Sequence, residues 1–295
     1  MTELVAHHYA RPQARRHLWT GLAMAVVGLA YGAARIATWL AANPSAAHGL
    51  AASLLAGLAT GLGALPILAL RRPSEAAMAP MLGLAGGMML AASLFSLLAP
   101  AVQLVAASTA PAGLGIATAA AFFAGSWIMQ ALDGRLPHAH VEAVGDATAP
   151  GGALPRVGLV VAAISLHNVP EGLAVGVAAA AGADHGMTLG IALQNIPEGW
   201  IVASAMLILG AGPGRAALVA LATGLVEPLG GLVGVFAATV AGTALPLALA
   251  GAAGAMLWVV SHELIPASHR PGREAAGTAG LAAGFAVMTG LAVAF

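Results

Sequence analysis

The sequence predicts an all-α membrane protein, a polytopic bundle of about nine transmembrane helices. Of its 295 residues, 60% are hydrophobic and only 7% are charged, whereas a soluble domain typically has about 25% charged residues. The chain contains nine apolar runs, and each is long enough for a spanning helix, which needs roughly 20 such residues. The runs lack the alternation of apolar and polar residues that an outer-membrane barrel requires. Helices are therefore expected throughout.

The predicted spans follow one another with mostly short connections. They cover about 18–42, 49–70, 78–100, 112–132, 157–181, 187–210, 216–241, 246–266 and 276–294. The first span follows three arginines and could also be the start of a signal peptide. Its apolar stretch is longer than the apolar region of a signal peptide, which usually has about 7–15 residues. We therefore expect this segment to be kept as a transmembrane helix. Arg35 within it should reach the membrane interface or face another helix.

Small residues recur at the spacing that lets helix backbones approach closely in lipid. The pairs Gly83/Gly87 and Gly230/Gly234 are examples of this small-xxx-small pattern. We interpret most of the 39 glycines as packing positions of this kind.

The arginines predict the orientation in the membrane, because cytoplasmic loops hold an excess of basic residues. Ten of the eleven arginines lie between apolar runs, and all ten fall in alternate loops. The intervening loops, near 43–48, 101–111, 182–186 and 242–245, contain none. This bias predicts a cytoplasmic N-terminus and an external C-terminus, as an odd number of spans requires. The arginines are spread over several loops, so they form no basic face for nucleic acid. The absence of cysteine excludes disulfides and thiolate metal ligands.

Three glutamates lie near the middle of consecutive predicted spans. They are Glu171, Glu198 and Glu227. An ionisable group at this depth costs at least about 2.5–3.5 kcal/mol on insertion scales, so it is usually functional. The chain has no lysine, and its arginines lie elsewhere. The three carboxylates are therefore either protonated or neutralised by a metal ion.

Two of these glutamates belong to a repeated pattern, HNVPEG at 167–172 and QNIPEG at 194–199. The spacing places His167 on the same helix face as Glu171, and Gln194 on the same face as Glu198. The amides of Asn168 and Asn195 follow about 100° around each helix. Each proline also frees a backbone carbonyl one turn earlier, which in lipid must find a donor, water or ion.

The chemistry of these donors favours a first-row divalent cation. Imidazole and carboxylate suit zinc, whereas Mg²⁺ and Ca²⁺ prefer all-oxygen sites. Met88 and Met89 lie at the same predicted depth, and a thioether ligand would favour Zn²⁺ or Cd²⁺. A methionine in a membrane helix usually only packs. In the polar, mobile loop at about 133–155, a further group either collects metal at the cytoplasmic face or is simply solvated: His138, His140, Glu142 and Asp146.

Five segments together resemble the ZIP (Zrt-, Irt-like) family of divalent-metal transporters, in a bacterial branch similar to the Bordetella ZIP protein. They are MLGLAGGMMLAAS at 81–93, HNVPEG, QNIPEG, GLVEPLGG at 224–231 and SHELIP at 261–266. The resemblance implies an eight-helix transport domain over 49–295, preceded at 1–48 by a tail and an extra helix. It also implies a non-enzymatic protein of the bacterial inner membrane.

The resemblance further implies the ligands and the cargo. The first implied metal site consists of Met89, His167, Glu171, Gln194 and Glu198. The second consists of Asn168, Glu171, Asn195, Glu198 and Glu227, with shared carboxylates bridging two ions. His262 and Glu263 match positions on the cytoplasmic exit route. The expected cargo is Zn²⁺, with some Cd²⁺, Fe²⁺ or Mn²⁺, moving inward by alternating access, and a homodimer is a candidate assembly in the lipid bilayer.

One departure concerns the second site, where the Bordetella-like pattern has an aspartate in place of Asn195. The lost charge should weaken that site, so the site containing His167 is the firmer prediction.

Other functional classes explain the motifs less well. An intramembrane metalloprotease needs H-E-x-x-H, but His262-Glu263 is followed by Leu264, Ile265 and Pro266. An exchanger that exports Ca²⁺ or another divalent ion also uses mid-membrane glutamates, but imidazole and thioether are poor ligands for a hard ion. A metal-sensing receptor would need an output domain, and the sequence shows no obvious one.

Overall fold

The structure is a computed structural model of the full chain. It describes residues 20, 23, 24, 26–28, 30–69, 75–133, 153–182, 185–240 and 244–294. The predicted loop site of His138, His140, Glu142 and Asp146 lies outside these residues. Within the described ranges the regular secondary structure is helical, and no strand occurs. The prediction of an all-α membrane bundle is confirmed.

Nine helices account for the described chain, numbered here in order. They are α1 Val26–Ala42, α2 Pro44–Ala69, α3 Ala76–Ala106, α4 Pro111–Asp133, α5 Ala153–Ala180, α6 His185–Ile208, α7 Pro213–Thr239, α8 Leu245–Ser268 and α9 Glu274–Ala294. Seven of them, α2–α4 and α6–α9, are long and apolar enough to cross a membrane. The 28-residue α5 also exceeds the roughly 20 residues of a span. The helices match the nine predicted runs in order.

The chain falls into two compact units, Met1–Ala47 and His48–Phe295. The first unit contains α1, whose described side chains are mostly exposed. The second unit contains nearly all of α2 and the whole of α3–α9. Its strongest helix pairings are α3 with α9, the second half of α7 with α5, and α4 with α8.

Glycine determines how closely the paired helices approach. A Cβ on Gly83 or Gly87 of α3 would overlap the backbone of α9 at Gly277 and Leu281. The second predicted pair, Gly230/Gly234, faces the backbone of α5 in the same way. The expectation of close backbone packing is therefore confirmed for both pairs. Such contacts supply dispersion attraction where lipid offers no hydrophobic driving force.

Replacing Gly176 with Ala should destabilise the bundle, because the new methyl group would overlap the backbone of Gly231 on α7. Overpacking of this kind typically costs about 1–3 kcal/mol. The thermal unfolding midpoint of the detergent-solubilised protein measures the effect. Gly113→Ala is the matched control, because a Cβ at Gly113 meets nothing within 4 Å. Equal midpoints for the two variants would contradict this account of the packing.

Four of the described helices are locally irregular, and one of them, α2, is interrupted at Leu65. α3 passes through a π-helical stretch at Ala92–Leu98, and α8 passes through another at Val260–Leu264. In α7 the regular helix stops at Gly224 and resumes at Glu227. Single π-helical turns often occur at functional sites, and the α8 stretch and the α7 break both carry residues from the predicted site. The sequence patterns did not reveal any of these irregularities.

Candidate metal site

Buried polar side chains from three helices meet inside the second unit. Four of them, Glu171 of α5, Gln194 and Asn195 of α6 and Glu227 of α7, have 0% of their surface exposed. Asn168, on α5, is 1% exposed. Such complete burial of acids and amides has a large desolvation cost unless partners or an ion compensate it.

Two adjacent amides on α6 each bind a carboxylate of a different neighbouring helix. Gln194 Nε2 donates a hydrogen bond to Glu171 Oε1 at 3.1 Å. Asn195 Nδ2 donates to Glu227 Oε1 at 2.6 Å and to the backbone oxygen of Ala56 on α2 at 2.8 Å. The α6 pattern thus connects α5 on one side with α7 and α2 on the other.

Glu198, one turn after Gln194 on α6, connects these two groups. It is half-buried, and its carboxyl group lies close to that of Glu171. It also interacts electrostatically with Glu227 and with His167. The three predicted mid-membrane glutamates therefore belong to one electrostatic cluster.

His167 extends the cluster toward α8. Its Nε2 lies 2.8 Å from Glu263 Oε1, and the two side chains are 15% and 16% exposed. Glu263 belongs to the π-helical stretch of α8. A carboxylate that binds a histidine fixes the orientation of the imidazole ring, as is usual for metal-ligating histidines.

Five oxygen atoms in this region are buried and have no hydrogen-bond donor. They are Asn168 Oδ1, Glu171 Oε2, Gln194 Oε1, Asn195 Oδ1 and Glu227 Oε2. Buried polar atoms nearly always have a partner, and an unmet acceptor costs about 1–3 kcal/mol. These five atoms are all acceptors, and two of them are carboxylate oxygens, so together they are suited to a cation.

Three other residues that the sequence patterns indicated lie on α3 and α8. Met88 and Met89 are buried in α3, within the apolar core that also contains Ala56 and Ala174. His262 is exposed, and its ring lies against Trp258 with 4.5 Å between centroids. Met89 and His262 therefore stay predictions as metal-site residues.

The donors are not closed around a single point. Within the described ranges, no three His, Asp or Glu side chains form a ready-made metal-binding group. Glu171 and Glu227 accept hydrogen bonds from neighbouring amides instead. Binding an ion would require these hydrogen bonds to open and the carboxylates to turn inward.

The sequence patterns did not reveal the contribution of α2. The backbone oxygen of Ala56 accepts one of the two Asn195 hydrogens, and a Cβ on Gly57 would lie 3.5 Å from Glu227 Oε1. Only small residues let the α2 backbone come this close. The run of small residues along α2 is the one signal that could have indicated the contact.

Comparisons with known proteins agree with the motifs. The family model described as ZIP Zinc transporter matches residues 137–292, just over half of the chain. The zinc transporter GufA of Myxococcus xanthus is 45% identical over 243 residues, which cover 80% of this chain and 94% of that protein. The zinc transporter ZIPB of Bordetella bronchiseptica is 42% identical over 78% of this chain and 75% of its own length. The zinc transporter ZupT of Corynebacterium efficiens is 34% identical, with 80% and 92% covered.

Proposed function

The chain belongs to the ZIP family of zinc transporters. We propose that it carries Zn²⁺ into the bacterial cytoplasm through the buried cluster of α5, α6 and α7. A family member of this kind is a multi-pass membrane transporter of divalent metal ions and not an enzyme. We propose four further properties: the direction of transport, the choice of metal, the ligands and the mechanism.

The observation that carries the proposal is the set of five buried oxygens without a donor. Protonation of Glu171 and Glu227 would supply two donors for the three amide oxygens, so at least one of them would stay unmet. A divalent cation binds carboxylate and amide oxygens together and offsets the negative charge as well. His167 adds an imidazole, which together with carboxylates suits zinc better than Mg²⁺ or Ca²⁺.

Transport then requires the ion to replace existing hydrogen bonds. Entry of Zn²⁺ separates the Glu171 and Glu198 carboxyl groups and turns Glu171 away from the Gln194 amide. His167 stands between this cluster and Glu263, so an ion bound near His167 has a second carboxylate within reach on α8. Movement of one group of helices against another would open this exit inward, as in other alternating-access transporters.

The wider assignments follow from the arginine bias and the family. We place the N-terminus in the cytoplasm and the C-terminus outside, in the bacterial inner membrane. Cd²⁺, Fe²⁺ and Mn²⁺ are expected as weaker substrates. Met89 remains the proposed thioether ligand, His262 remains on the proposed exit route, and a homodimer remains the candidate assembly.

Asn195→Asp should make the stability of the protein depend on metal. The substitution removes the two hydrogens that Asn195 donates to Glu227 and Ala56, and it places a carboxylate against a carboxylate. Without Zn²⁺ the unfolding midpoint should fall below that of the wild type. Added Zn²⁺ should raise it more than in the wild type, because binding to the folded state alone stabilises that state.

Thermal unfolding with and without Zn²⁺ measures this difference, and Asn195→Leu, which cannot ligate, is the control. If Asn195→Asp gains no more from Zn²⁺ than Asn195→Leu does, the second-site assignment is wrong.

Reconstitution tests the proposed function directly. Proteoliposomes that contain a fluorescent zinc indicator should show uptake of external Zn²⁺, whereas protein-free liposomes should not. Competition by Cd²⁺, with little competition by Ca²⁺, is the expected selectivity. Uptake no faster than in protein-free liposomes would overturn the proposal.

A further inference from the structure

Two histidines lie together at the end of the bundle where α2 and α6 begin. The rings of His48 and His185 have centroids 6.1 Å apart and planes inclined at 85°, an edge-to-face pair. His48 is the fifth residue of α2, and His185 is the first residue of α6. Both side chains are exposed. Neither residue belongs to the motifs discussed above.

Close packing holds the backbone on which each ring is mounted. A Cβ on Gly49 would lie 2.6 Å from a Val235 methyl group on α7 and 3.2 Å from the Cβ of Ala179 on α5. His185 is followed by Gly186 and Met187, which are both buried. The two rings therefore project from a closely packed frame where α2, α5, α6 and α7 meet.

The spacing of the rings suits a shared metal ion. Imidazole is the commonest metal ligand of proteins. With Zn–N bonds of about 2.0–2.1 Å, two imidazoles on one tetrahedral ion have ring centres roughly 5 Å apart. The observed 6.1 Å exceeds this spacing by about 1 Å, a difference that a small change in the side-chain torsions would close. We propose that His48 and His185 form a Zn²⁺ site separate from the buried cluster, with water completing the coordination.

The position of the pair suggests what the site does. His48, Ala52 and Ala56 follow each other at intervals of four residues, so they share one face of α2. Eight residues of helix span roughly 12 Å, and the backbone oxygen of Ala56 accepts a hydrogen bond from Asn195 of the buried cluster. The pair thus lies about two turns from the cluster. In the proposed orientation it is at the external end, where it collects the ion before entry.

The affinity of this site should be modest. Only two protein ligands are present, and both lie near helix N-termini, where the partial positive charge opposes a cation. A modest affinity suits a site that must release the ion inward. The delivery role rests on the proposed function, whereas Zn²⁺ binding by the pair does not.

Titration of the full-length protein in nanodiscs with Zn²⁺ alone tests the binding. In a Glu171→Gln background, which weakens the buried cluster, a lower-affinity equivalent that depends on this pair should remain. His48→Phe or His185→Phe should weaken that equivalent at least about tenfold while keeping the aromatic contact. His48→Cys should retain it, because a thiolate ligates zinc. If the His48→Phe titration matches that of its parent, the pair is an aromatic contact only and the proposal is overturned.

Flux measurements separate this inference from the proposed function. In proteoliposomes, His48→Phe should raise the KM for Zn²⁺ several-fold and leave kcat unchanged, because saturating zinc bypasses the collecting step. A binding equivalent that depends on His48, in a protein without flux, would support the site and contradict the proposed function. Normal flux in a protein without that equivalent would overturn the site alone.

Discussion

Glu171→Gln is expected to reduce Zn²⁺ flux more than about 100-fold. Glu171 is fully buried, its Oε2 has no donor, and its carboxyl group meets both Gln194 and Glu198. The substitution keeps the shape and one acceptor oxygen, but it removes the negative charge that a divalent ion requires. Loss of a group that merely orients a ligand already costs about 10–100-fold in metal affinity or activity, and Glu171 is proposed as a ligand itself. Zinc uptake by proteoliposomes measures the effect.

Glu274→Gln is the matched control for this experiment. It makes the same chemical change at the first residue of α9, where the side chain is exposed, and it should leave the flux unchanged. The two variants should also be compared by thermal unfolding. Glu171→Gln is expected to fold, because removing a buried charge lowers the desolvation cost in the metal-free protein. Wild-type flux in Glu171→Gln would remove this residue from the site.

The fold was predictable because lipid imposes simple requirements. A spanning segment must satisfy its backbone hydrogen bonds internally, so every long apolar run becomes a helix. The structure accordingly follows the nine predicted runs, and the glycine pairs pack where their spacing indicated. The irregularities were not predictable from those rules. The break after Gly224 precedes Pro228, which has no N–H to bond the Gly224 carbonyl. α5 nevertheless stays helical through Pro170, so a proline alone does not predict a break.

The sequence predicted which residues form the polar cluster, but it did not predict which of them bond to one another. Glu171, Glu198 and Glu227 were identified because an ionisable group inside a membrane has a high free-energy cost. Helical spacing then added Gln194 and Asn195. Spacing along one helix says nothing about which neighbour an amide will reach. The bond from Asn195 to the backbone of Ala56 depends on how closely α2 approaches α6. Likewise the meeting of His167 with Glu263 joins residues 96 positions apart, and only the tertiary arrangement brings them together.

His167→Ala should reduce Zn²⁺ flux as severely as Glu171→Gln, and Glu263→Gln should reduce it by roughly tenfold. Alanine removes the only imidazole that the structure places, among its described residues, beside the carboxylate cluster. Glutamine at 263 leaves His167 in place, but it replaces the charged partner 2.8 Å from its Nε2 with a neutral amide. The expected loss for such an orienting partner is about 10–100-fold. Initial rates of uptake over a range of Zn²⁺ concentrations measure both effects.

The double variant His167→Ala/Glu263→Gln distinguishes two roles for Glu263. If Glu263 acts by orienting His167, the double variant should be no slower than His167→Ala alone, because the partner has nothing left to orient. If Glu263 receives the ion independently on its way out, the two losses should multiply, as expected for sites that do not interact. An unchanged rate in Glu263→Gln would contradict both roles. The contact between α5 and α8 would then be structural only, and the path of the ion beyond His167 would have to avoid Glu263.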